Sequence, residues 1–133
     1  MLKLFIGAKG SGKTKALIDM VNSATQSSKG NVVCIEKGGK LTHNITYKAR
    51  LIDADDYGIV DAASLFGFIA GILASNSDIT DVFVDSALKI AGDDVDAFSA
   101  ILKKLEGITQ GVNLVMTASI AVDVCPDSIK AYA

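Results

Sequence analysis

Short runs of apolar residues alternate along the chain with longer stretches of helical spacing, the pattern of a parallel sheet flanked by helices. Leu2 to Ile6 reads as a first strand. Beyond Lys13, apolar residues recur at Ala16, Leu17, Met20, Val21 and Ala24, a helical stripe that ends near Ser27-Ser28-Lys29-Gly30. Asn31 to Glu36 reads as a second strand, nearly continuous in apolar residues, as a strand buried on both faces should be. Lys37 to Lys48 is polar and holds Gly38-Gly39, so a loop or a short irregular helix is expected there. Ala49 to Asp53 follows as a short third strand, and Asp55, Asp56 and Gly58 form an acidic turn after it.

Asp61 is placed to cap a helix running to about Ala74. That helix is apolar almost all round (Leu65, Phe66, Phe68, Ile69, Ile72, Leu73), which predicts heavy burial. Its Gly67 and Gly71 are spaced for close packing of the helix on the sheet. Asp81 to Asp85 reads as strand 4, Asp93 to Glu106 as another helix, and Val112 to Ala118 as strand 5. The tail around Pro126 is expected to add a short strand or helix. The fold class is therefore α/β: three layers, a mostly parallel five-stranded sheet, helices on both faces, and one domain over residues 1–133.

Composition narrows the function classes. With 50% hydrophobic and 21% charged residues, the chain has the makings of a core and is not disordered. A formal charge of −2 supplies no bulk attraction to nucleic acid or to an anionic membrane. Cys34 and Cys125 have no metal-ligand spacing, and Cys34 lies in an apolar run that suits a buried thiol. Lysines at 9, 13 and 15 interrupt the N-terminal apolar stretch too early for a signal peptide. The longest uncharged segment, Ala62 to Ser77, falls short of the ~20 apolar residues of a spanning helix. A cytoplasmic protein is the expectation.

The strongest chemical signal is Gly7-Ala8-Lys9-Gly10-Ser11-Gly12-Lys13-Thr14, which matches G-x-x-x-x-G-K-[ST] between a strand and a helix. The glycines let the backbone wrap and turn successive N–H groups toward phosphate oxygens, and the helix N-terminus adds partial positive charge. Residues Gly7 through Lys15 are thus expected to bind a nucleoside triphosphate. Lys13 would reach the β- and γ-phosphates, and the Thr14 hydroxyl would hold Mg²⁺. A carboxylate at a neighbouring strand tip should complete the metal site, and Val82-Phe83-Val84-Asp85 supplies it, with Leu51-Ile52-Asp53 as the competing candidate. Ser86 stands where many such ATPases carry a catalytic glutamate, and Glu106 lies far along a helix. Glu36 is then the glutamate at a strand tip able to orient or deprotonate water.

Strand 2 ending in Glu36, followed later by Asp81-Val82-Phe83-Val84-Asp85-Ser86, resembles the RecA-like branch of the P-loop NTPases, with its circadian-clock and helicase relatives. That family places its catalytic glutamate at the tip of strand 2 and an Asp-Ser pair in its magnesium-binding motif. Asn113-Leu114-Val115-Met116-Thr117-Ala118-Ser119 is similar to the family's next strand, whose polar tip senses the γ-phosphate. The resemblance implies an ATPase using ATP and Mg²⁺, with Glu36, Lys13 and Thr117 catalytic, Ser119 the other sensor position, and Thr14 and Asp85 at the metal. It covers residues 1 to about 119. The further strands and DNA-holding loops of larger relatives have no counterpart in these residues.

Slow hydrolysis driving a conformational or assembly switch is the expected activity, with a second copy of the chain or a larger protein as partner. Arg50, the sole arginine, precedes strand 3, and Lys40, Lys48 and Lys130 are the lysines weighed as fingers. Without a finger, turnover loses a factor of ~10³–10⁵. Lys37-Gly38-Gly39-Lys40 reads as a glycine-rich turn, with a flap over the γ-phosphate as the alternative. His43 reads as a surface residue. Two other classes stay open: a nucleotide-dependent interaction module without turnover, and a nucleoside kinase resembling the zinc-containing thymidine kinases, whose four-cysteine site is missing.

Overall fold

The computed structural model describes residues 1–133. Its strands are β1 (Leu2–Gly7), β2 (Asn31–Glu36), β3 (Arg50–Asp53), β4 (Ile79–Val84) and β5 (Asn113–Ser119). They pair in parallel throughout, in the order β1-β5-β4-β2-β3. The helices are α1 (Lys13–Ser27), α2 (Ala62–Ser75), α3 (Ala87–Ile90), α4 (Val95–Ile108) and α5 (Asp127–Lys130).

Strand alternation divides the core in two. Val32 and Cys34 of β2, Phe83 of β4 and Val115 of β5 pack on one face with Leu17 and Val21 of α1. Leu41, Ile45 and Ala49, from the loop between β2 and β3, extend that cover. On the opposite face Val33, Ile35, Val82, Val84, Leu114 and Met116 meet Leu65 and Ile69 of α2 and Phe98, Leu102 and Leu105 of α4. The result is the expected three-layer α/β fold. No helix is long and apolar enough to cross a membrane.

Three local expectations need correction. Asp61 does cap α2, accepting from the Ser64 N–H at 2.8 Å, but only Ala62, Leu65 and Ile69 of that helix are buried. The helix forms an outer layer against α4, so just one side of its apolar surface meets the core. Gly67 and Gly71 are exposed, and a Cβ on either would meet nothing within 4 Å. They do not mediate close packing on the sheet. Second, α3 had no sequence signal: its four residues are too few for a helical period. Third, α4 begins at Val95 under an Asp94 cap, while Asp93 takes a left-handed conformation with φ 58°.

The tail forms α5 and a single antiparallel bridge between Ile120 and Gly7. It also returns to the free edge of β1, where the Leu4 N–H donates to the Tyr132 carbonyl at 2.8 Å. Covering an edge in this way removes a template for unwanted strand pairing. Because every strand runs the same way, the C-terminal tips of β1, β2, β4 and β5 open on one end of the sheet.

Candidate functional site

The glycine-rich loop leaves β1 at that end. Gly10 and Gly12 adopt φ values of 85° and 86°, which L side chains rarely tolerate. Gly12 caps α1 without a side-chain hydrogen bond, so the first-turn N–H groups of the helix remain open to a ligand. The Lys13 ammonium folds back over the loop, donating to the Ala8 carbonyl at 2.9 Å and the Ser11 hydroxyl at 3.2 Å.

Asp85 follows directly on β4 and is 8% exposed. Its backbone N–H donates to the Ile35 carbonyl at 2.8 Å, tying it to β2. Its Oδ1 accepts from the Thr14 hydroxyl at 3.0 Å and from the Thr117 hydroxyl at 2.9 Å. Three elements, α1, β4 and β5, therefore converge on one carboxylate oxygen. Thr117 in turn accepts the Ser86 N–H at 2.7 Å. Ser86 sits in a left-handed conformation, φ 59°, a strained choice for a non-glycine residue that clusters at functional sites. A threonine hydroxyl has one proton, and that of Thr117 is committed to Asp85. Ser119 is exposed and its hydroxyl has no partner in the chain.

Glu36 ends β2 and is 2% exposed. Its Oε1 accepts from the Leu41 N–H at 2.9 Å, and no group of the chain bonds its other oxygen. The Gly38-Gly39 turn beside it has φ values of 89° and 65°. It is pinned where the Gly38 N–H donates to Asp53 Oδ1 at 3.0 Å. That same Asp53 oxygen accepts from the Asp55 N–H at 3.0 Å, capping the short helical turn after β3. Asp53 thus does not line the cavity, unlike Asp85.

Burial, and then the negative charges of Asp85 and Glu36, push the Cys34 thiol up to about 12. A thiol held neutral in this way is unreactive.

Between these groups lies a cavity of about 680 Å³, a size typical of small-molecule sites. Its walls include Lys9, Gly10, Gly12, Lys13, Thr14 and Lys15 from the loop and α1, Glu36 from β2, Asp85, and Thr117 and Ser119 from β5. Gly7, Ala8 and Ser11 shape the loop without facing the cavity. Lys37, Lys40, Lys89 and Asp93 also line it. Six of the chain's twelve lysines are gathered here against three carboxylates, although the whole chain is acidic. Arg50 and Lys48 instead line a separate hollow of about 400 Å³ at the N-terminal ends of β2 and β3. Lys130 lies in α5 and His43 is exposed in the loop, both outside the cavity.

Lys89, Asp93 and the Ser86 backbone were missed in the sequence. Lys89 follows Asp85 by four residues, and only the unheralded α3 turns it to the cavity. No protein-family model matches this chain, and neither does any curated protein sequence. The functional reading therefore rests on the geometry and its chemistry.

Proposed function

We propose that this chain binds Mg-ATP in the lysine-walled cavity and hydrolyses it slowly, as a switch of conformation or assembly. One observation carries the reading: the Thr14 and Thr117 hydroxyls converge on Asp85 at the open N-terminus of α1, directly behind a glycine-rich loop. A hydroxyl beside a carboxylate is a hard-oxygen donor pair suited to Mg²⁺, which keeps most of its waters and takes few protein ligands. Magnesium, when bound, neutralises charge on the β- and γ-phosphates.

The chain's own groups have separate tasks. Backbone N–H groups of the cavity-lining residues Lys9, Gly10 and Gly12 to Lys15 bind phosphate oxygens, and Lys13 exchanges Ala8 and Ser11 for the β- and γ-phosphates. Because Thr14 gives its proton to Asp85, its lone pairs are left for the metal. Glu36, with one oxygen held by Leu41 and one free, orients a water and takes its proton. That water's oxygen bonds the γ-phosphorus as the bond from phosphorus to the bridging oxygen breaks, leaving ADP and phosphate. No arginine lines the cavity, which is why turnover should be slow.

Calorimetric titration of Mg-ATP into the wild type and Lys13→Ala tests the binding reading, with loss of binding expected in the variant. Glu36→Gln should bind as the wild type does while phosphate release stops. Persistent turnover in Glu36→Gln would remove Glu36 from catalysis. Binding without turnover in the wild type would leave a nucleotide-dependent interaction module, to be followed by its oligomeric state with and without Mg-ATP.

A further inference from the structure

Of the six lysines around the cavity, three are engaged. Lys13 donates within the loop, Lys15 pairs with Asp19 at 3.6 Å and Lys37 pairs with Asp55 at 2.5 Å. Lys9, Lys40 and Lys89 have no partner in the chain. Lys9 belongs to the glycine-rich loop and Lys40 to the Gly38-Gly39 turn. Lys89 stands on different ground. It is the one exposed residue of α3, whose Ala87, Leu88 and Ile90 are all buried.

The backbone beneath Lys89 is fixed at both ends. The Ser86 N–H is held by Thr117 at 2.7 Å, and the Asp93 N–H returns to the Leu88 carbonyl at 2.9 Å. An ammonium projecting from an anchored backbone loses less freedom on binding than one on a free loop. The buried residues of α3 belong to the core on the α2 and α4 side of the sheet, whereas α1 packs on the other face. Lys13 and Lys89 thus reach the cavity that Asp85 also lines from opposite layers.

We propose that Lys89 binds the terminal phosphate of the nucleotide, a contact in cis that favours the triphosphate over the diphosphate. The proposal rests on the Mg-ATP reading above. There, Asp85 and Thr14 mark the metal between the β- and γ-phosphates, and the loop wraps the phosphates on the α1 side. Lys89 enters the cavity from the layer opposite α1 and its loop, and in this proposal it takes the γ-phosphate and not the inner two.

Contact with the γ-phosphate alone separates ATP from ADP. The experiment is calorimetric titration of wild type, Lys89→Met and Lys89→Arg with the β,γ-imido analogue of ATP and with ADP, each with Mg²⁺. Lys89→Met should weaken the triphosphate roughly tenfold or more while ADP stays within about twofold, and Lys89→Arg should restore the difference. The residue is exposed, so the fold tolerates both changes. Equal losses for both nucleotides would mean diffuse attraction and overturn the proposal, as would no loss at all. A wild type that binds neither nucleotide would bring down the Mg-ATP reading and this proposal together, whereas tight binding indifferent to Lys89→Met would bring down this proposal only.

Discussion

Thr117 joins a strand, the Asp85 carboxylate and a strained turn through one hydroxyl. Replacing it with valine keeps the shape, deprives the buried Asp85 of a donor and leaves the part-buried Ser86 N–H unpaired. A buried donor left without a partner costs about 1–3 kcal/mol, so Thr117→Val should lower the unfolding free energy by up to that much, read as a fall in the urea midpoint. Thr117→Ser should recover most of the loss. An unchanged midpoint in Thr117→Val would show that the two hydrogen bonds contribute nothing. The same bonds argue that Thr117 positions Asp85 and Ser86; on the proposed Mg-ATP reading Ser119, with its hydroxyl free, is the better placed of the two to meet a phosphate oxygen.

At the scale of elements, α2 shows how an apolar helix can remain half outside. The composition of Ala62–Ser75 predicts burial on every side, but the sheet and α4 offer it only one. Gly67 and Gly71 lie on the open side, where a methyl group meets nothing. Each therefore costs backbone entropy without a packing return, and Gly67→Ala and Gly71→Ala should each stabilise the protein by about 0.5–1 kcal/mol. Thermal melts of the two variants check this, and a fall in melting temperature would mean that the glycines serve a contact. Gly30 is the contrary case. A Cβ there would run into the Asp78 carbonyl as the chain enters β4, so Gly30→Ala should cost about 1–3 kcal/mol.

Over the whole molecule, the parallel sheet brings its strand tips together and its charges with them. A chain of net charge −2 presents half its lysines to one cavity, an asymmetry that bulk charge conceals. Cys34 records the other side of that arrangement. Its thiol is neutral up to about 12 in the fold, against an ordinary 9.0. Unfolding lets it ionise, so between those values the unfolded chain binds fewer protons and stability falls as pH rises. Urea titrations from pH 8 to 11 should show this alkaline loss, reduced in Cys34→Ala. Equal slopes for both proteins would assign the loss to other groups.

The sequence alone determined the succession of strands and long helices along the chain, because continuous apolar runs and helical stripes are local patterns that each element must carry to bury itself. It also marked Gly7–Lys15, Glu36 and Asp85, because a glycine-rich turn and a charge at the end of an apolar run are local signals too. Tertiary structure decided what depended on neighbours. It chose Asp85 over Asp53 for the cavity, since both end apolar runs and only the order of the strands separates them. It set Arg50 at the opposite end of the sheet and left Gly67 and Gly71 open. It also raised Lys89 on a four-residue helix held by its buried side chains. Such a helix leaves no periodic trace in the sequence, because its stability comes from packing and not from its own hydrogen bonds.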